Sequence, residues 1–449
     1  MLRRGEKRSY LQDPLQYLFG LEPIGIKFGL ENITILVESL GHPERAFRSV
    51  HVAGTNGKGS VTAMVDAALR AAGRRSARYT SPHLVDIRER FVVDGRPVTG
   101  EALAAVISYV RERIDSLRAA GALEVQPTFF EVTTAVAFEL FRRAGVDIAV
   151  IEVGLGGRLD ATNVVDPVVA AITSIAFDHQ QYLGDSVREI AAEKAGIIKR
   201  GVPVVIGRMA PEAEAVIEGI ARERGAQLIR AWDDVNAVRL KPDTTHAPVA
   251  NAVASGVRLQ PDQIRLRTPT REYGEVAIAL RGDHQVGNAV VAVRLLEFLD
   301  VPARAIVDGL AHVAWPGRLD VRRLAGGREA ILDAAHNPAG AAALASYLQE
   351  QAGGRPPLVF GAMRDKDVDG MFRALLPVIS ALVVTRASNR RAADPARLAE
   401  RARAIAPELA VAAEPSPRDA LEAAWRLAPR IVVAGSIFLL GDVMREMDW

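Results

Sequence analysis

Val50-His51-Val52-Ala53-Gly54-Thr55-Asn56-Gly57-Lys58-Gly59-Ser60-Val61 is the stretch that decides how the chain is read. The β-branched Val50 and Val52 read as a strand end, and residues 61–69 read as an amphipathic helix. A strand that turns through glycines into a helix N-terminus is a phosphate cradle. The first amides of the helix have no partner inside it, and the positive end of its dipole points the same way. Gly57 and Gly59 let an anion approach the backbone because neither carries a Cβ. Lys58 supplies a cation for the outer phosphates, and Thr55 or Ser60 a hydroxyl. The pattern is not a strict Walker loop: Val52 stands where the first glycine belongs, and Gly59 separates Lys58 from Ser60. A glycine-rich turn with an incidental lysine is the weaker reading of so dense a string.

Composition narrows the rest. A chain of 449 residues has room for two or three domains, each with its own core. Lys+Arg 56 against Asp+Glu 54 gives a net charge of only +2, and aromatic residues are 5%. Neither favours nucleic-acid binding, so none is expected. With no cysteine there is no disulfide, thiolate metal site or cysteine nucleophile. No apolar run approaches a membrane span, and Met1 to Lys7 is not followed by an apolar stretch. The expectation is a cytoplasmic protein, monomeric, acting on small molecules.

Along the chain, short helices are expected near 14–19 and 31–40, a strand at 76–80, and helices to about 120 and 144. The apolar runs 148–153, 168–173 and 202–206 read as strands buried on both faces. Their alternation with helices predicts a parallel α/β sheet. Residues 241–257 show no period and read as a surface insertion, while 258–280 alternate as in a hairpin or small antiparallel sheet. A helix over 284–299 leads to a hinge at 313–317, beyond which strand–helix alternation restarts as a second, smaller doubly wound domain.

Chemistry-bearing residues gather at the strand ends. Glu152 closes a buried strand before Gly154-Leu155-Gly156-Gly157-Arg158-Leu159-Asp160-Ala161-Thr162-Asn163, and ligands of open α/β sheets sit beyond the carboxyl ends of strands. A carboxylate opposite a phosphate loop suits Mg²⁺, a small hard cation that takes oxygen donors; a strand-end salt bridge is the structural alternative. His179 follows the next strand. A lone histidine is more often structural, but Asp178 beside it and Glu152 on a neighbouring strand favour a site. Lys194, on a helix with acidic and basic faces, reads by itself as solvated. In the second half, Arg318 opens the new domain, and Asp333, His336 and Asn337 end a strand where a helix begins. Asp333 could be only a helix cap. The loop from Gly361 to Asp367, with Lys366, is rich in charge at another strand end.

Together these strings resemble the folylpolyglutamate synthase/dihydrofolate synthase family of the ADP-forming Mur ligase superfamily. The matching stretches are 51–61, 80–84, 152–163, 177–180, 193–197, 282–288, 315–319 and 333–338, in family order and across nearly the whole chain. The resemblance implies a P-loop-type, parallel-sheet domain over 1–312 that binds ATP and folate, with the insertion at 241–257. A hinge at 313–317 and a Rossmann-like, doubly wound glutamate ligase domain over 318–449 would follow.

It also implies roles. Thr55, Asn56, Gly57, Lys58, Gly59 and Ser60 would hold the ATP phosphates. Asn288 would reach the adenine side, and Arg318 and Asp333 would clamp ATP. Ser81, Glu152 and His179 would bind Mg²⁺, and a carbamylated Lys194 would help to hold a second ion, replacing its solvated reading. Lys58, Lys194 and His179 form the implied catalytic set. Gly25, Ile26, Lys27, Phe28, Pro82, His83, Thr128, Phe129 and Asp160 would line the pteridine side. His336 and Lys366 carry no assigned role. The implied reaction joins L-glutamate to dihydropteroate or to a reduced folate. A Mur ligase for a UDP-linked peptide would need a further domain, and about fifty residues before the loop are too few for one. A nucleotide-regulated binding protein is the rival from another class.

Overall fold

Every residue of the strand Ile148–Glu152 is buried, the apolar run 148–151 as a strand covered on both faces requires and Glu152 with it. The structure, a computed structural model, describes residues 13–25, 27–240, 262–351 and 354–449. By its internal contacts the chain forms two compact units. One comprises Met1–Ile175, Gln181–Asp233 and Val291–Gly309, the other Ala176–Gln180, Asp234–Val290 and Leu310–Trp449.

The first unit is built on an eight-stranded sheet. Its strands are β1 (Arg48–Ala53), β2 (Ser76–Tyr79), β3 (Phe91–Val93), β4 (Arg96–Pro97), β5 (Ile148–Glu152), β6 (Val169–Ile172), β7 (Val204–Ile206) and β8 (Leu228–Arg230), in spatial order β4-β3-β2-β5-β1-β6-β7-β8. From β2 to β8 every neighbour is parallel; only β3 and β4 run antiparallel, at one edge. A core of Ile33, Leu36, Val106, Val110, Phe138 and Phe141 packs the helices Glu31–Ser39, Gly100–Ala119 and Phe129–Ala144 together. A second core joins Ile172, Val204 and Ile206 to the helices Val187–Ala195 and Pro211–Glu223. Thr99, Thr128 and Ser186 cap three of these helices through their side chains, the last two in reciprocal boxes with Glu131 and Glu189.

The order corrects one expectation. Glu152 ends β5, and β1 lies between β5 and β6, so the two are not neighbouring strands. The strand that carries the phosphate loop is the one they share.

The second unit holds two sheets. β9 (Asn236–Arg239), β10 (Asp262–Arg267) and β11 (Glu272–Ile278) form an antiparallel three-stranded sheet. β12 (Asp320–Arg323), β13 (Glu329–Leu332), β14 (Leu358–Phe360), β15 (Ala381–Val384), β16 (Ala410–Ala413) and β17 (Arg430–Ala434) form the other, ordered β12-β13-β17-β14-β15-β16 and parallel except at β12. Phe360 and Phe372 meet in its core with ring centres 4.9 Å apart. The expected α/β class with parallel-rich sheets is therefore what forms. Ile26 and the whole of 241–257 lie outside the described residues. No helix is long and apolar enough to cross a membrane among the described residues.

Candidate active site

β1 delivers the glycine-rich loop to the carboxyl edge of the first sheet. Gly54 has φ 144°, and a Cβ there would lie 2.0 Å from Thr173 Oγ1, so the position admits only glycine. The loop is stitched to the residues after β6. Thr55 N donates to the Ser174 carbonyl (2.7 Å), Asn56 N to Ser174 Oγ (3.1 Å), and both the Thr173 and Ser174 hydroxyls donate to the Asn56 carbonyl (2.6 and 3.0 Å). Gly57, left-handed at φ 89°, then starts the helix Lys58–Ala71 with no side-chain cap. A helix N-terminus left uncapped by side chains presents amides to an anion. Lys58 Nζ folds back over the loop carbonyls of Gly54 (3.0 Å) and Thr55 (3.3 Å). Ser60, like Thr55, is buried.

Two neighbours complete this edge. Glu152, at the end of β5, is 5% exposed and accepts through Oε2 from the Ser81 amide (3.1 Å), just beyond β2. Ser81 is joined to Pro82 by a cis peptide bond. Lys194 is 5% exposed, not solvated, and its Nζ also donates to the Gly54 carbonyl (3.1 Å). Close backbone packing puts it there. The loop after Glu152 reaches the end of the helix Val187–Ala195 through Arg158 N, which donates to the Glu193 carbonyl. A Cβ on Gly157 would meet the Lys194 carbonyl at 2.8 Å, and one on Gly196 would meet Arg158 at 2.3 Å.

The second unit has its own polar cluster. Asp178 receives Lys366 Nζ (2.5 Å), Asn337 Nδ2 (3.1 Å) and His336 Nε2 (3.3 Å). Burial alone would raise its pKa; the His336 hydrogen bond and the charges of His336, His179 and Lys366 outweigh it and hold the carboxyl well below the usual range. His179, with φ 53°, belongs to this unit, its Nε2 3.9 Å from Asp178 Oδ1. Asp333 is not the helix cap. Its oxygens accept from Leu319 N and Ala335 N (2.9 Å each), while Asn337 caps the helix Pro338–Glu350. Arg318 donates to the Gly317 carbonyl and Asn288 to Gln285. His284 is shifted down by burial, with Asp333 and Arg318 among the charges that act on it. Among the described residues no three His, Asp or Glu side chains gather into a metal-ready group.

Residues 99–296 match the Mur ligase middle domain, and residues 317–437 the glutamate ligase domain of Mur ligases. The Mycobacterium tuberculosis dihydrofolate synthase/folylpolyglutamate synthase is 40% identical over 389 residues, covering 82% of this chain and 76% of that protein. The chain belongs to this family of Mur ligases. Among solved structures, M. tuberculosis folylpolyglutamate synthase complexed with ADP and AMPPCP superposes with a TM-score of 0.87 at 35% identity, covering 97% of this chain and 98% of that one. Escherichia coli FolC in complex with DHPP and ADP gives 0.82 at 30%, covering 97% and 98%. The chain spans 44% of a longer Haloferax volcanii relative, a probable bifunctional folylpolyglutamate synthase/dihydropteroate synthase, at 39% identity.

The residues that family resemblance assigns to the pteridine side all fall in the first unit, apart from Ile26, which is not described. Lys27 and Phe28 are exposed, beyond Gly25 at φ 77°. Thr128 caps the helix that Phe129 begins. Arg90, 8% exposed, lies 5.2 Å above the Phe129 ring and donates to His83 Nδ1 (2.9 Å). Asp160 is buried. Its Oδ1 accepts from the amide and hydroxyl of Thr162 (3.0 and 2.5 Å), and its Oδ2 from Leu155 N (2.8 Å). Burial raises this carboxyl, and those donors oppose it.

Sequence reading missed the Thr173–Ser174 clamp, Arg90, and Tyr182, whose ring lies 5.8 Å from that of Phe28. Hydroxyls just past a strand end were the available signal for the clamp. Nothing in sequence pointed to the Tyr182–Phe28 pair.

Proposed function

We propose that the chain joins L-glutamate to dihydropteroate and to the glutamate tail of tetrahydrofolate, forming ADP through an acyl phosphate. The observation that carries this reading is the phosphate loop, with Lys58 and Lys194 at the Gly54 carbonyl and Glu152 paired to Ser81 on the same sheet edge. A carboxylate is a poor acceptor for an amine until it is activated. The folate carboxylate attacks the γ-phosphorus of ATP in line, ADP leaves, and the mixed anhydride is then attacked by the glutamate amine with loss of phosphate. The first unit contributes positioning and charge neutralisation through the loop amides and Lys58 on the phosphates.

The donor chemistry at Glu152 and Ser81 fits Mg²⁺, since both offer hard oxygens at a phosphate-binding edge. We assign them to that ion, which when bound would neutralise phosphate charge. A carbamate on Lys194 would supply oxygens for a second ion, and its burial beside the loop supports this. We further propose that 1–312 handles ATP and folate and 318–449 the glutamate step, with 313–317 as hinge. The two family matches on either side of that hinge support the division. The protein is read as a cytoplasmic monomer.

The test is ADP release measured with glutamate and either dihydropteroate, tetrahydrofolate or no acceptor. Release that needs both glutamate and a pteridine acid is expected. Release indifferent to both would leave a nucleotide-regulated protein that hydrolyses ATP without ligation. Depleting CO₂ should lower the rate and bicarbonate should restore it; a rate blind to both removes the carbamate.

A further inference from the structure

His51 stands on β1, three residues before Gly54, and is completely buried. Its Nε2 lies 2.8 Å from Thr162 Oγ1, and Thr162 in turn donates that hydroxyl to Asp160 Oδ1. His51 Nδ1 is buried with no hydrogen-bond partner. These three facts fix the protons. A hydroxyl has one hydrogen. Since Thr162 gives its hydrogen to the carboxylate, it can only accept from His51, which must therefore carry its proton on Nε2. Nδ1 is then a bare lone pair. In the reverse arrangement Asp160 would be protonated, Thr162 would donate to His51, and Nδ1 would be a buried N–H with no acceptor. An orphaned buried N–H is the rarer and costlier group. Burial, assisted by the charge of Lys199, agrees by pushing the imidazole down to about 3, so it stays neutral.

We infer that His51 and Thr162 form a one-directional hydrogen-bond relay that orients the Asp160 carboxylate to receive an N–H donor of the pteridine, and that both are positioning residues for the folate substrate. The inference rests on the reading of Asp160 as a pteridine contact. The relay and the Thr162 amide occupy Oδ1, and the Leu155 amide takes one position on Oδ2, so a ligand donor meets the carboxylate at the position left on Oδ2. The ligand chemistry this suits is a flat heterocycle that presents one amino or ring N–H in the carboxylate plane. Neither His51 nor Thr162 touches the substrate. They set which face of Asp160 is available to it.

The experiment uses the full-length protein with four substitutions, Thr162→Val, Thr162→Ser, His51→Leu and Asp160→Asn, and two measurements. Steady-state kinetics should show KM for dihydropteroate raised about tenfold by Thr162→Val and His51→Leu, the size of one lost charge-assisted hydrogen bond, with KM for ATP unchanged. Thr162→Ser should restore the wild-type value. Nitrogen-15 spectra of the wild type should show His51 protonated at Nε2 and bare at Nδ1. If Asp160→Asn raises KM for dihydropteroate but Thr162→Val does not, the relay is refuted and the pteridine contact stands. If Asp160→Asn leaves that KM unchanged, the pteridine reading itself fails. Equal rises in KM for ATP and dihydropteroate would mean a purely structural brace and would overturn the proposal, as would a proton found on Nδ1.

Discussion

Lys58 and Lys194 donate to one and the same oxygen, the carbonyl of Gly54, at 3.0 and 3.1 Å. They come from the start of one helix and the last turn of another, far apart in the chain. A carbonyl carries only a partial charge, so the unmodified Lys194 amine and Lys58 meet there at the mouth of an uncapped helix N-terminus. Once Lys194 carries the proposed carbamate, Lys58 is the cation left on this carbonyl for a triphosphate.

Lys58 gives the first prediction. Its Nζ is held by two backbone carbonyls of its own loop, contacts that contribute little to folding and that a phosphate can replace. Lys58→Ala should therefore lower ADP-forming turnover by at least about a hundredfold, the scale of losing one preorganised charge at a reacting centre. Its circular dichroism and unfolding midpoint should match the wild type. Wild-type turnover in the variant would refute the assignment.

Gly54→Ala should be harsher. The new methyl must enter space held by Thr173 Oγ1, at a φ that other residues rarely adopt. The backbone strain costs about 1–3 kcal/mol, and displacing Thr173 releases the hydroxyl that holds the Asn56 carbonyl. ADP titration by calorimetry should show nucleotide binding lost. Thr173→Ser, which keeps the hydroxyl, should retain it. Tight ADP binding by Gly54→Ala would show that the loop can take another path.

In the second unit, Asp178 and Lys366 are each 8% exposed at the side chain. Removing one partner of such a pair leaves the other charge buried. Asp178→Asn should therefore lower unfolding free energy by about 3 kcal/mol, seen in urea titration. Adding Lys366→Met should recover much of that loss, because the stranded ammonium is gone. A double variant no more stable than Asp178→Asn would place the loss elsewhere, with His336 and Asn337, which share the same carboxylate.

How much of this was legible in sequence depended on distance along the chain. The strands of the first sheet announced themselves because residues 148–151 and Val169–Ile172 are apolar throughout. Thr99, Thr128 and Ser186 are local signals, each capping an amide three residues on. β8 and β16 are three and four residues long, and none of their residues is buried, so no period marks them. Thr173 and Ser174 hold Asn56 across 117 and 118 residues, a relation no window of sequence contains. Helical periodicity alone reads Lys194 as solvated because it sees the helix but not its neighbour, and only the family resemblance moves it to the site. Only Gly157 and Gly196, which allow the Arg158 loop against the end of that helix, bury it.

His51 gives the last prediction, in pH. Its ordinary value is 6.5, and in the folded protein it lies at about 3. Between those two values the unfolded chain holds a proton that the native protein does not. Unfolding free energy from this group must then fall as pH falls, by at most about 1.4 kcal/mol per pH unit. The contribution is whole above the unfolded value and is lost through the window down to about 3. His51→Gln keeps an N–H for Thr162 but has nothing to titrate. Its deficit against the wild type at pH 7.5 should therefore shrink at pH 5, by up to about 2 kcal/mol. Urea titrations of both proteins at the two pH values measure it, and other titrating groups cancel in the difference. A deficit that stays constant would mean that burial does not hold His51 neutral in the folded protein.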